Sequence, residues 1–326
     1  MPKVSVLMLV YNHDAFIRQA LDSILIQEVN FDYEIVVGDD CSTDNSLSIL
    51  KEYAVKYPNK LKIISHTSNV GIYQNLLAVF QSCKGQYIAM LEGDDFWTSS
   101  TKLQQQIDFL DKNPDFSICF HRVSVFNNQN SKLIYNFPKK NYKLISTVDD
   151  LLKHNFIQTC SVVYRNGLIK TIPEWFSSLK LADWPLHILH AEHGKIGYIN
   201  QIMGAYRVHG KGVWSGNNLT YRNTEVIKML EAINLHTKQK YIDIINATIT
   251  NLYFDIVRLA IDTKNWNNFT NYFETFVCRS INRNKDYKIK MLRIKLKYFL
   301  KKYLPFLHNI IKYLKNKVVQ LIIAMQ

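Results

Sequence analysis

Apolar and polar positions fall in blocks along the first hundred residues, and the blocks change period. VSVLMLVY (4–11) is a continuous β-rich apolar run, the pattern of a strand buried on both faces. FIRQALDSILIQ (16–27) sets Phe16, Ala20 and Ile24, with Ile17 and Leu21, at helical spacing. YEIVVGDD (33–40) predicts a second buried strand ending in acids. CSTDNSLSILKEYAVKYP predicts a helix, with Ser42, Thr43 and Asp44 as N-cap candidates and Pro58 past its end. LKIISH (61–66) predicts a third strand. SNVGIYQNLLAVFQSCKG follows as a loop and helix closing at Gly85, and QYIAML (86–91) is a fourth strand.

This alternation predicts βαβ units: an α/β, Rossmann-like fold with a mainly parallel sheet between helices. Ligands of such sheets bind beyond the carboxyl ends of the strands. Three polar sets stand there: Tyr11-Asn12 after the first strand, Asp39-Asp40 after the second, and Glu92, Asp94 and Asp95 after the fourth. The first turn has no GxGxxG and the chain has no GxxxxGK[ST], so neither an ordinary dinucleotide site nor a P-loop is predicted. Residues 221–275 have a helical pattern. The predicted division is an α/β domain over 1–220 and an α-helical C-terminal region over 221–326.

LEGDDFW (91–97) crowds three carboxylates into four positions directly after an apolar run. Buried like charges are costly without a positive partner. A hard divalent cation, Mn²⁺ or Mg²⁺, takes oxygen ligands and binds through carboxylates together with substrate phosphates. The plainer alternative is a solvated acidic turn, and the second acid pair at the end of the second strand weighs against it.

Composition sets outer limits. Of 326 residues, 47% are hydrophobic and 13% aromatic, a globular balance. The five cysteines are widely spread without a CxxC pair, which predicts free thiols in a reducing compartment. MPKVSVLMLVYNHD lacks a signal-peptide cleavage pattern, and no continuous apolar run reaches membrane-spanning length. A cytoplasmic location is the expectation. The net charge of +13 is not evenly spread: residues 279–317 hold thirteen Lys and Arg against Asp286 alone, so +12 sits there and +1 elsewhere. A near-neutral body with a basic end suggests local electrostatic attachment.

VSVLMLVYN, EIVVGDDCSTDNS, NVGIYQN and LEGDDFWTSSTKLQQQIDFL stand in the order seen in family 2 glycosyltransferases, and the chain resembles that family strongly over 3–120 and more loosely over 121–215. The resemblance implies an inverting, GT-A-fold enzyme using a nucleotide sugar, with a UDP-sugar favoured. It implies that Tyr11 stacks on the base, that Asp40 with Asp39 beside it binds the base edge, and that Asp94 faces ribose or metal. Asp95 would bind the metal, with Glu92 standing where many members have Asp. The proline often found between Trp97 and Lys102 is missing.

An inverting transfer needs a base for the acceptor hydroxyl. Asp183, followed by Trp184 and an apolar helical pattern, fits the family's acid; an N-cap role is its plainer reading. YRVHGKGVWS (206–215) resembles the loop that closes over the diphosphate. His209 would be a further metal ligand, and Arg207 or Lys211 would pair with the leaving phosphates. The plainer reading is a Gly-rich surface loop. His187, His190 and His193 recur every third residue and are expected to be helix histidines on a partly buried face, without a zinc site. Trp175 and Trp184 could line an acceptor pocket or pack in the core.

KIKMLRIKLKYFLKKYLPFLHNIIKYLKNKVVQLIIAM (288–325) interleaves lysine with bulky apolar residues, as in a helix lying on an anionic membrane surface, and Pro305 is expected to divide it. An ordinary packed helix with a solvated basic face is the alternative. Nucleic acid is not predicted, because no binding module accompanies the charge. The combined expectation is a metal-dependent transferase building a surface glycan from a saccharide or lipid-linked acceptor, peripheral on the cytoplasmic face of the membrane. Its rivals are a sugar-phosphate nucleotidyltransferase, whose Gly-rich first loop is missing here, and a non-catalytic nucleotide-sugar-binding protein.

Overall fold

The computed structural model describes residues 1–130, 132–209, 216–280 and 285–305. The chain divides into two compact units, Met1–Gly216 and Asn217–Gln326.

In the first unit, strands β1 (Val4–Val10), β2 (Tyr33–Asp39), β3 (Leu61–Ser65) and β4 (Tyr87–Met90) are linked by helices α1 (Ile17–Leu25), α2 (Ser46–Lys56) and α3 (Gly71–Ser82). Then come β5 (Phe96–Trp97), α4 (Lys102–Lys112), β6 (Phe116–Asn127), β7 (Lys132–Phe137), β8 (Ile145–Ser146), α5 (Val148–Leu151), β9 (Val163–Arg165), α6 (Asp183–Ala191) and β10 (Lys195–Val208). Among the described residues the sheet runs β3-β2-β1-β4-β9-β6-β10-β5, with β7 on β6 and β8 on β10. The β3-β2-β1-β4 half is parallel, as the βαβ pattern predicts. Beyond β4 the sheet is mixed, because β9 runs antiparallel to both β4 and β6 while β6 and β10 are parallel.

Every residue of β1 is buried, as expected of a central strand covered on both faces. On one face Val4, Val6, Met8 and Val10 join the core with Ile17, Ala20, Leu21 and Ile24, the stripe that helical spacing puts on one side of α1. Burying each such side chain contributes about 1.5–3 kcal/mol. Register then places the polar ends: Val10 pairs with Asp39, and Gly93 N–H donates to Leu9 O at 3.2 Å. The turns after β1, β2 and β4 therefore open side by side.

α2 starts at Ser46, later than the cap candidates suggest. Asp44 Oδ1 accepts from Ser46 N at 2.9 Å, while Ser42 and Thr43 bond across to Asn12. All five cysteines are free thiols.

The second unit holds α7 (Leu219–His236), α8 (Ile242–Asp262), α9 (Trp266–Ser280) and α10 (Lys285–Tyr303). By length and composition α8 is apolar enough to cross a membrane, with an 18-residue stretch of mean hydropathy 1.3, although Asp255 and Arg258 keep it from being a continuous apolar run. It is also the central helix of its unit, burying Val257, Ala260 and Ile261 against α9 and α10.

Candidate active site

Two loops at the carboxyl edge of the sheet are stitched together first. Asn12, with φ of +58°, accepts Thr43 N at 2.8 Å on Oδ1 and gives its own N–H to Ser42 Oγ at 3.0 Å. His13 N donates to Ser46 Oγ and Asp14 N to Asp44 Oδ2. Tyr11 is left about half exposed at the rim. Asp39 is fully buried; its Oδ2 accepts Ser42 N at 3.1 Å, and its Oδ1 has no partner. Asp40 turns to α3, accepting Val70 N at 2.7 Å and Gly71 N at 3.0 Å, so each oxygen already serves the helix start. Asp39 thus has the freer carboxylate of the pair.

The acids after β4 gather closely: ligand oxygens of Glu92, Asp94 and Asp95 all lie within 4.8 Å of one another. Gly93 makes this turn possible. A β-carbon there would stand 2.8 Å from His13 Nδ1 and 3.0 Å from Ile17 and Val10 side-chain atoms. Asp94 Oδ2 is 2.9 Å from His209 Nε2 and 3.9 Å from His13 Nε2. Burial would raise the Asp94 carboxyl, but the His209 hydrogen bond and the two imidazoles outweigh it and hold it low. Asp95 and Glu92 go the other way. Burial, then repulsion from neighbouring carboxylates, pushes both well above the ordinary range.

Asp95 accepts Arg207 N on Oδ1 at 2.8 Å, while its buried Oδ2 has no hydrogen-bond partner. An orphaned carboxylate oxygen among three converging acids is costly, and an oxygen-seeking divalent cation would satisfy it. The residues present therefore fit Mn²⁺ or Mg²⁺.

Asp183 is the first residue of α6; the cap position belongs to Ala182. Its Oδ2 receives long contacts from Thr159 Oγ1 at 3.4 Å and Asn155 Nδ2 at 3.5 Å. Burial raises its carboxyl, opposed by backbone and side-chain donors at the helix start. Glu92 feels its charge as well as those of Asp94 and Asp95, so one acid links both ends of the site. The short turn Thr159–Ser161 brings these ends together: Thr159 reaches Asp183, and the Cys160 thiol lies beside Asp95. The FWTSSTKLQQQ stretch holds that turn, through Trp97 Nε1 to Cys160 O at 2.8 Å and Gln106 Nε2 to Ser161 O at 3.0 Å.

The loop predicted over 206–215 begins as strand. Tyr206, Arg207 and Val208 belong to β10, paired with β6. Arg207 is committed to protein acceptors: Nε to Asp94 O, Nη1 to Asn128 Oδ1 and Nη2 to Gln19 Oε1, each at 2.7 Å. Phe16, Phe96 and Phe126 surround its guanidinium. It braces the acid cluster, a geometry that differs from the expected reach toward phosphates. Lys211 lies outside the described residues.

Sequence patterns overlooked two residues here. His13, two positions after Tyr11, flanks Asp94. Tyr206 carries a phenol that burial, then the charges of Asp95, Glu92, Asp94 and Asp183, raise far above its ordinary value. Its strand register beside Arg207 was the available clue. His187 and His190 are fully buried, deeper than the partly buried face expected, while His193 is exposed. His187 Nδ1 bonds the Tyr164 hydroxyl, and the His190 ring stacks on Tyr164. Trp184 is core, donating to Leu151 O.

Residues 5–172, which include every acid of the strand-end cluster, match the profile of Glycosyl transferase family 2. The chain belongs to that family. Asp183, Arg207 and His209 lie beyond the matched stretch. An uncharacterised protein of Mycobacterium tuberculosis is 38% identical to this family 2 chain over 212 residues, 65% of the chain and 60% of that protein. The match thus spans less than two thirds of that relative. A putative teichuronic acid biosynthesis glycosyltransferase of Bacillus subtilis, TuaG, is 26% identical over 71% of the chain and 92% of its own length. Two solved structures share the fold. S. aureus TarS 1-349 in complex with UDP-GlcNAc has a TM-score of 0.63 at 18% identity, covering 91% of this chain and 88% of that one. The mannosyltransferase PcManGT of Pyrobaculum calidifontis, in complex with GDP-Man and Mn²⁺, has 0.54 at 14% identity, covering 92% and 88%.

Proposed function

We propose that this chain is an inverting glycosyltransferase that moves a sugar from a nucleoside diphosphate, with a UDP-sugar favoured, to a hydroxyl of a surface-glycan or lipid-linked acceptor. One observation carries the reading: the Thr159–Ser161 turn, held by Trp97 Nε1 on Cys160 O at 2.8 Å, sets Thr159 Oγ1 3.4 Å from Asp183 at the start of α6 and its Cys160 thiol beside Asp95 of the acid cluster that follows β4. Two separate carboxylate functions in one crevice are what such a transfer needs, one beside the leaving diphosphate and one beside the acceptor. Similarity to TuaG supports the surface-polysaccharide setting, and similarity to TarS with UDP-GlcNAc supports the donor class.

Tyr11 at the rim offers a face for the base, and the partnerless Asp39 Oδ1 offers an acceptor for a base or ribose donor. Asp95, Asp94 and Glu92, with His209, would hold the divalent cation, which when bound offsets charge on the leaving diphosphate. Asp183 takes the proton of the acceptor hydroxyl as that oxygen attacks the anomeric carbon. Its raised carboxyl makes it a stronger base than an exposed aspartate once ionised. The Thr159–Ser161 turn, held by Trp97, touches Asp183 through Thr159 and Asp95 through Cys160.

The test is a panel of nucleotide sugars offered with Mn²⁺ or Mg²⁺ and saccharide or lipid-linked acceptors. Nucleoside diphosphate release and product configuration are read together. Cation-dependent release with an inverted product supports the reading; binding without turnover on any pair returns the chain to the non-catalytic alternative.

A further inference from the structure

Helix α10 has two apolar faces where a surface helix has one. Its inner face is occupied. Met291, Ile294 and Tyr298 pack on Val257, Ile261, Phe269 and Phe276. Three lysines turn the same way: Lys290 Nζ donates to Asn251 Oδ1 at 3.1 Å, and Lys297 and Lys301 each reach Asp262 Oδ1 at 2.8 Å.

The outer face is apolar too. Ile289, Leu292, Leu296, Phe299 and Tyr303 are 39%, 67%, 58%, 51% and 58% exposed. Their steps of three and four residues put them in one stripe along the helix. Lys288, Lys295 and Lys302 follow along one edge of that stripe at seven-residue spacing, and Arg293 stands on the other; all four are exposed. No acid occurs between Lys288 and Tyr303.

We propose that this outer stripe is a docking face for an anionic lipid surface. The apolar stripe enters the boundary between headgroups and acyl chains, and the flanking cations meet the acidic headgroups. Charge selects this occupant over a second copy of the chain. The spacing suits a two-helix seam, but pairing two copies would line cations against cations along the stripe. The lysines also divide between the two faces. Lys290, Lys297 and Lys301 bond to α8, whereas Lys288 and Lys295 flank the outward stripe and Lys302, exposed at its end, bonds the Tyr298 hydroxyl of its own helix.

The full-length chain is sedimented with vesicles of phosphatidylglycerol and phosphatidylcholine in equal parts, and separately with phosphatidylcholine alone. The wild type should pellet with the anionic vesicles, stay in solution with the neutral ones, and be released by added salt. Leu292→Glu/Leu296→Glu should lower partitioning at least about tenfold. Lys288→Glu/Lys295→Glu should lower it and flatten the salt dependence. Both pairs are exposed, so circular dichroism and melting should match the wild type. Any of three results would overturn the proposal. A leucine variant that pellets like the wild type would assign attachment to another segment. A wild type that ignores anionic vesicles would leave the face to a protein partner. A lipid-free dimer that the leucine variant abolishes would give the face to a second copy of the chain.

Discussion

His209 Nε2 lies 2.9 Å from Asp94 Oδ2, joining the end of β10 to the acid cluster across 115 positions of sequence. The contact opposes burial and keeps Asp94 ionised in a place where Glu92 and Asp95 resist ionisation. Replacing His209 by Ala should weaken Mn²⁺ binding about 10–100-fold, the usual scale for losing a group that ligates or orients a carboxylate. Calorimetric titration of the cation alone measures this. An unchanged affinity would make His209 a packing residue against Phe16.

Arg207 predicts a stability effect. Its three side-chain hydrogen bonds tie the peptide of Asp94, the end of β6 and α1 together inside an aromatic enclosure. Arg207→Met should cost about 2–4 kcal/mol in urea unfolding, from lost bonds and stranded acceptors. Arg207→Lys should recover little, because an ammonium cannot span three acceptors set around a planar fork. A lysine variant as stable as the wild type would show that charge alone matters there.

The parallel half of the sheet was legible because each strand there is a continuous apolar run followed by a periodic helix and a polar turn. The second half was not. β6 and β10 have register shifts and pair in parallel from opposite ends of a long stretch, so no local pattern announces them. Glu92, Asp94, Asp95 and Asp39 were legible as acids at strand ends. Asp40's service to α3, Arg207's bracing and the part of Tyr206 depend on which neighbour tertiary packing supplies. Lys102 shows the same limit, since a lysine in a polar run carries no sign of complete burial.

Lys102 should make stability depend on pH. Its Nζ is fully buried without a hydrogen-bond partner, 3.9 Å from the centre of the Trp97 ring, and burial lowers its pKa to about 7. Between that value and its ordinary 10.5 the unfolded chain holds the extra proton, so stability rises with pH through this window. Below pH 7 the cost is on the order of 3–5 kcal/mol, with the Trp97 face offsetting part of it. Lys102→Met should therefore stabilise the protein most near pH 6 and least near pH 10. A gain equal at both would mean that Lys102 does not titrate differently on folding.

Asp183 should trade stability against function. Its carboxyl is raised on folding, so its contribution is fully present below the unfolded value and lost as pH rises through the folded one. Asp183→Asn removes that loss and should melt higher than the wild type at neutral pH. The difference should vanish when both are measured below the ordinary carboxylate range. A destabilised variant at neutral pH would show that the ionised Asp183 is held by its neighbours rather than strained by burial.

The most direct test of the central claim compares turnover and donor affinity for wild type and Asp183→Asn, under one cation and one donor–acceptor pair. Asp183 as the acceptor's base predicts a turnover lower by on the order of a hundredfold or more, with donor affinity unchanged. The wild-type rate should rise with pH through the raised Asp183 carboxyl, and the variant should lack that limb. A variant that turns over at the wild-type rate would contradict the account and leave Asp183 as the first residue of a helix.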